Sequence, residues 1–106
     1  MSAVVVLCTC PDAASAERIA RRLVGERLAA CVNRIPGVRS TYRWQGEVRD
    51  DVEELLVIKT ERARLETLTA RLVGLHPYEL PEVIALDVVA GHAPYLAWLE
   101  RESTAS

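Results

Sequence analysis

The side chains of this 106-residue chain that stand out for chemistry are thiols, imidazoles and the carboxylates of one proline-containing segment. They are Cys8, Cys10, Cys31, His76, Glu79, Glu82 and His92. No C-x-x-C pair or H-E-x-x-H motif is present, so spacing alone specifies no zinc site. Thiolate and imidazole suit copper or zinc better than magnesium or calcium. A metal site is therefore one interpretation, and the alternative is buried apolar thiols with a loop histidine bonded to backbone.

The segment from Leu75 to Glu82 is predicted to be a rigid loop, because its two prolines fix the backbone and lack amide donors. It follows a helical pattern and precedes a strand. Cys8 lies toward the end of the first predicted strand, and Glu82 begins the last one. We expect both to lie toward the same side of the sheet. Cys10 is predicted to point to the opposite face from Cys8, so it is left out of the candidate site.

Hydrophobic patterning predicts four strands and three helices. The strands are Ala3–Thr9, Leu28–Trp44 with an interruption at Pro36-Gly37, Glu47–Thr60 and Val83–Ala90. The helices are Ala13–Glu26 with Asp12 as N-cap, one that starts after Thr60 as N-cap and stops before Pro77, and Pro94–Glu102. This order is the split βαβ arrangement of the ferredoxin-like fold, an α+β class with one four-stranded antiparallel sheet, and we expect a single domain over residues 1–106.

The second and third predicted strands form a hairpin that is too long for so small a domain. About a dozen residues per strand give roughly 40 Å, whereas a domain of this size has a radius of gyration of about 13 Å. The hairpin should overhang its own domain, and its exposed edges should pair with another chain. We therefore expect a homo-oligomer. The aromatic residues expected in its interface or inter-subunit cleft are Tyr42, Trp44, Tyr78 and Trp98.

Composition disfavours several classes of function. The formal net charge is −2 and the pI is about 5.7. Binding of nucleic acid is therefore not favoured, and neither is the stacking of RNA bases on aromatic side chains of the sheet. Apolar runs are far shorter than the roughly 20 residues that span a bilayer. An odd number of cysteines and an N-terminus without a leader pattern indicate a cytoplasmic protein. The sequence places no histidine beside a possible nucleophile, and it has no glycine-rich phosphate-binding loop. We therefore expect that the protein is not an enzyme.

Several segments, in order along nearly the whole chain, resemble the CutA divalent-cation-tolerance family. They are Val5-Val6-Leu7-Cys8-Thr9 with Pro11-Asp12, Leu28-Ala29-Ala30-Cys31-Val32-Asn33, Pro36 to Glu47, Ile58-Lys59-Thr60, His76 to Glu82, and Tyr95-Leu96-Ala97-Trp98-Leu99. The Tyr-Arg-Trp-Gln-Gly-Glu and His-Pro-Tyr segments are the most specific.

The resemblance implies a homotrimer like that of the PII signalling proteins and a role in tolerance to divalent cations, copper above all. It places the family's copper site on Cys8 and His76, with Glu82 nearby. It implies no obligatory cofactor. Some relatives carry a second histidine where Leu75 stands, and a proline is common at Asp87. No protein partner is identified besides the chain itself. Two alternative functions stay open. One is a regulator that binds a small effector between subunits, and the other is a trimeric scaffold without a ligand.

Overall fold

The structure, a computed structural model, describes residues 2–105. Its elements are β1 (Ala3–Cys10), α1 (Ala13–Gly25), β2 (Cys31–Trp44), β3 (Glu47–Glu61), a 3-10 turn (Arg62–Arg64), α2 (Leu65–Leu75), β4 (Ile84–Asp87) and α3 (Ala93–Glu102). The strands form one sheet in the order β2-β3-β1-β4, and every neighbouring pair is antiparallel. The predicted α+β class and split βαβ order are confirmed.

One face of the sheet is covered by α1 and α2, and the main core lies between them. Strand alternation sends every second residue of β1 to this face. The fully buried members are Val4, Val6, Cys8 and Cys10 of β1, Ile19 and Leu23 of α1, Leu56 and Ile58 of β3, and Leu68 and Leu72 of α2. The residues between them on β1 are only half-buried and point to the other face. The sheet is therefore packed tightly on one side and left more open on the other.

The β2–β3 hairpin projects beyond the rest of the sheet, as predicted. Strand β1 pairs with β3 only as far as Cys10 opposite Glu54, so residues 47–53 of β3 have β2 as their sole sheet neighbour. The molecule measures 44 × 25 × 22 Å, and the hairpin contributes its long dimension. Gln45 and Gly46 close the hairpin with φ values of 50° and 80°, a two-residue turn that favours glycine. The ribbon is thus an extended arm on a small domain.

The predicted interruption of the second strand is confirmed as a bulge. The register with β3 shifts between Ile35 and Val38, around the Pro36-Gly37 pair. The strand nevertheless starts later than predicted, at Cys31 rather than Leu28. The amide of Leu28 donates to the Leu23 carbonyl at 2.9 Å, so these residues close the end of α1 before the strand begins.

Two other predicted boundaries are also corrected. Thr60 is not a helix cap: it lies in β3, fully buried, and its hydroxyl donates to the Leu28 carbonyl at 2.7 Å. Strand β4 is shorter than predicted, because only Ile84–Asp87 finds partners, along residues 4–7 of β1.

Asp12 does cap α1 as predicted, since its carboxylate accepts from the Ser15 amide at 2.8 Å. Within residues 2–105, every helix falls short of the length and apolarity required to cross a bilayer.

Candidate metal site and the adjacent cleft

Three potential metal ligands converge where α2 ends and β1 ends. They are Cys8, Cys10 and His76, all buried, and one ligand atom from each lies within 4.8 Å of the others. Helix α2 stops at Leu75, and the His76 amide closes its last turn on the Leu72 carbonyl at 2.9 Å. Pro77 prevents the helix from continuing. The imidazole is therefore delivered to the end of β1, and the predicted neighbours Cys8 and His76 are brought together.

Both ring nitrogens of His76 are already hydrogen-bonded. Nδ1 lies 3.0 Å from the Tyr78 amide, which can only donate, so Nδ1 accepts and Nε2 carries the proton. Nε2 donates to the Thr9 carbonyl at 2.8 Å. The neutral ring also packs against the Tyr78 ring, with centroids 4.8 Å apart. Because a metal binds the unprotonated nitrogen, coordination by His76 requires the loss of one of these two hydrogen bonds.

Cys10 was left out of the predicted site because its thiol was expected to point away from that of Cys8, and that expectation is wrong. Side chains two residues apart on a strand point to the same face. In β1 the thiols of Cys8 and Cys10 both point into the core, beneath the helices. The C-x-C spacing at the end of a predicted strand was the signal that should have placed them side by side.

The two thiols are electrostatically linked. The hydrogen bond with Cys10 and then burial raise the pKa of Cys8 far above its ordinary value, and the nearby carboxylates of Glu82 and Glu53 act in the same direction. The pKa of Cys10 is lowered by its interaction with the Cys8 side chain. A cation that binds both sulfurs must displace the proton that Cys8 retains.

Glu82 lies outside this three-residue group. It is exposed, and it sits just before β4, which begins at Ile84 opposite Leu7 of β1. Its carboxylate is close enough to raise the pKa of Cys8 but it lines the neighbouring cleft. The structure thus places Glu82 on the predicted side of the sheet. Its role as a metal ligand stays a prediction.

A cleft of about 660 Å³ lies beside the metal-site candidates, between the β2–β3 hairpin and the loop after α2. Its lining residues are Thr9, Ser40, Thr41, Tyr42, Arg43, Trp44, Arg49, Glu53, Tyr78, Glu79, Leu80 and Glu82. Three of the four aromatic residues predicted to share an interface or cleft are therefore found together. Trp98 is not among them: it lies on α3, 5.4 Å from the Tyr95 ring, and packs on a small separate cluster with Ala3 and Leu99.

A partly buried hydrogen bond joins the loop to the hairpin. The Tyr78 hydroxyl donates to Glu53 Oε2 at 2.6 Å, and the Glu53 residue is only 8% exposed. Burial, and secondly this bond to a carboxylate, raise the pKa of Tyr78 above its ordinary value. Tyr42 makes a similar bond to Asp51 on the exposed part of the hairpin. Tyr78 therefore holds the loop that carries His76 against the base of β3.

The remaining predicted positions have simpler surroundings. Leu75 packs half-buried against the main core. Asp87, for which the sequence indicated no partner, forms an ion pair with Arg62. The other thiol, Cys31, is half-buried on β2, with β3 between it and β1. None of these residues belongs to the group formed by Cys8, Cys10 and His76.

Comparisons with known proteins identify the family of this chain. The family model described as CutA1 divalent ion tolerance protein matches residues 4–102. The divalent-cation tolerance protein CutA of Thermus thermophilus is 52% identical over 94% of this chain and 96% of its own length. The chloroplastic protein CutA 1 of Oryza sativa is 44% identical over 97% of this chain, which spans 58% of that longer protein. The crystal structure of CutA from Xylella fastidiosa superposes with a TM-score of 0.95 at 47% identity, over 98% of this chain and all of that one. This chain therefore belongs to the CutA1 divalent ion tolerance protein family.

Proposed function

We propose that this protein contributes to divalent-cation tolerance in the cytoplasm by binding copper or another divalent cation as a homotrimer. The metal would be held by Cys8 and His76, with Glu82 nearby. The observation that carries the proposal is the convergence of the thiol and imidazole ligand atoms within 4.8 Å at the buried end of β1. The names of the relatives describe tolerance and not a reaction, so no catalytic step is proposed.

The residues at this site fit a borderline-soft cation, but with modest affinity. Sulfur and imidazole donors match copper or zinc. Coordination by His76 requires the loss of its bond either to the Thr9 carbonyl or to the Tyr78 amide. A neutral hydrogen bond contributes about 1 kcal/mol net, which corresponds to roughly fivefold in the dissociation constant. Leu75 supplies no further imidazole. The bound cation would bring a positive charge to a buried pair of thiols and would hold the loop against β1.

Metal titrations of matched variants test this proposal. Copper(II), copper(I) and zinc are titrated by calorimetry into reduced wild type, Cys8→Ala, His76→Ala and the control His92→Ala. His92 is exposed and lies outside the three-residue group. We expect wild type and His92→Ala to bind equally and the other two variants to bind more weakly. If wild type binds no tighter than Cys8→Ala and His76→Ala, the proposed site is wrong.

The homotrimer is supported by apolar surface that the single chain leaves uncovered. Val48 and Val52 on the projecting hairpin are 63% and 62% exposed, and Ile84 and Leu86 on the edge strand β4 are also exposed. Exposed apolar strands of this kind invite pairing with another chain. Sedimentation equilibrium should give a trimer at micromolar concentration, and Val52→Asp should weaken it. A monomeric wild type would contradict the proposal.

Cytoplasmic localisation is supported by the cysteines. Cys8, Cys10 and Cys31 are all free thiols, as is typical of proteins in reducing compartments. The negative net charge of −2 gives no support to nucleic acid as a partner, and no membrane association is proposed. Fractionation of cells that express the tagged protein tests this. Recovery with membranes or in the periplasm would contradict it.

A second candidate function is supported by the cleft beside the site. Its volume of about 660 Å³ falls in the range of small-molecule sites, and its lining combines Tyr42, Trp44 and Tyr78 with arginines and glutamates. A small effector would bind there, with a neighbouring subunit completing the wall. A ligand at a hundred times its Kd adds about 2.7 kcal/mol of stability, so a thermal-shift screen would detect it. Trp44→Ala should abolish the shift, and the absence of any hit together with absent metal binding would favour the scaffold interpretation.

A further inference from the structure

We propose that Cys10 is a direct metal ligand, and that Cys8, Cys10 and His76 together form a site matched to a divalent ion of the zinc class. This inference rests on the proposed function, because it assumes that Cys8 and His76 bind a cation. It adds a second thiolate to the site and a preference among cations.

The geometry allows one ion to contact all three side chains. Metal–sulfur bonds of about 2.3 Å and metal–nitrogen bonds of about 2.0–2.1 Å place two sulfur ligands of a tetrahedral ion about 3.8 Å apart. The ligand atoms of Cys8, Cys10 and His76 lie within 4.8 Å of one another. A contraction of at most about 1 Å therefore brings the sulfurs to the tetrahedral spacing. Both sulfurs already share one face of that strand.

Formal charge favours a divalent ion. Cys8 and Cys10 are fully buried and His76 nearly so. Both thiols must lose their protons to solvent in order to bind, which gives a charge of −2. A neutral imidazole and one divalent cation bring the total to zero, whereas a monovalent cation leaves a buried negative charge close to Glu53, which is itself buried. Uncompensated buried charge is strongly disfavoured.

Donor type then distinguishes among divalent ions. Two thiolates with an imidazole are typical of tetrahedral zinc, whereas copper(II) prefers square-planar nitrogen and oxygen donors. Three protein ligands leave the fourth tetrahedral position available to water or another group, as in zinc sites that exchange a ligand.

The test combines zinc affinity with cobalt(II) as a spectroscopic probe. Reduced, metal-free wild type, Cys10→Ala and Cys31→Ala are titrated with zinc against a chromophoric chelator and with cobalt(II) under anaerobic conditions. Cys31 is the matched control, because it is a free thiol on β2 with β3 between it and the site. Wild type and Cys31→Ala should give a thiolate-to-cobalt charge-transfer band and tetrahedral visible absorption. Cys10→Ala should lose about half of that band and bind zinc at least roughly tenfold more weakly.

The outcomes separate this inference from the proposed function. If Cys8→Ala and His76→Ala weaken zinc binding but Cys10→Ala does not, Cys10 is no ligand and only the further inference fails. If none of the three variants differs from wild type, the proposed metal site fails as well. Weak octahedral cobalt absorption without a thiolate band in wild type would overturn the assignment to the zinc class. Circular dichroism checks the fold of each variant, and Cys10→Ser, which replaces the sulfur ligand by a smaller hydroxyl oxygen, is used if Cys10→Ala is unfolded.

Discussion

Replacement of Tyr78 by phenylalanine should loosen the loop that carries His76. The Tyr78 hydroxyl donates to Glu53 Oε2 at 2.6 Å, and Glu53 is 8% exposed. A hydrogen bond to a charged acceptor contributes about 1.5–3 kcal/mol. Tyr78 is itself only half-buried, so in the variant water supplies part of the hydrogen bonding that Glu53 loses. We expect the free energy of unfolding to fall by about 1–2 kcal/mol.

Urea unfolding at one fixed protein concentration measures this change, since association of subunits adds to apparent stability. The matched control is Tyr95→Phe, because Tyr95 is exposed on α3 and packs with its ring on Trp98. The control should differ from wild type by less than about 0.5 kcal/mol. A Tyr78→Phe variant as stable as the control would refute the role given to the bond with Glu53. Zinc affinity should change little, because the backbone amide that holds His76 is retained.

The pH dependence of the same variant gives an independent check. Burial and the Glu53 carboxylate raise the pKa of Tyr78 in the folded protein, while an unfolded tyrosine titrates near about 10. The stability contributed by neutral Tyr78 is therefore complete below about pH 10 and is lost as the pH rises toward the folded value. The difference between wild type and Tyr78→Phe should narrow above about pH 10. A constant difference would contradict the raised pKa.

Three further perturbations have definite expected results. Zinc affinity measured by calorimetry should rise with pH. The bond with Cys10 and burial raise the pKa of Cys8, and the metal must displace the proton of this thiol. An affinity that does not change with pH would argue against coordination by Cys8. Asp87→Asn should cost less than about 1 kcal/mol in urea unfolding, because Arg62 and Asp87 are more than half exposed, and a larger loss would show that the ion pair is structural. Gly46→Ala should lower stability by about 1 kcal/mol or more, because its φ is 80°; an unchanged melting temperature would contradict this.

Much of the fold could be predicted because local chemistry and tertiary structure agree. The apolar run of β1, the Asp12 cap and the interruption at Pro36-Gly37 each have a physical cause within a few residues. The boundaries that were wrong depend on contacts between distant segments. Thr60 resembles a helix cap locally, but its hydroxyl bonds to the Leu28 carbonyl across the fold. Likewise β4 ends where its pairing with β1 ends.

The candidate site was only partly predictable. The resemblance to a family indicated Cys8 and His76, and the structure brings them together. Cys10 could have been found from strand alternation alone, without any tertiary information. By contrast, the hydrogen bonds that occupy both nitrogens of His76 arise from the Thr9 carbonyl and the turn of the loop at Tyr78. Such contacts depend on the three-dimensional path of the chain, so no local pattern reports them.

A divalent cation should bind at the thiol and imidazole group where β1 ends. Anomalous diffraction at the zinc absorption edge tests it most directly, with crystals grown from protein loaded with one equivalent of zinc per chain. We expect an anomalous peak within about 2.3 Å of the Cys8 sulfur and about 2.1 Å of a His76 ring nitrogen. A peak at other residues, or no peak on this chain, would contradict it.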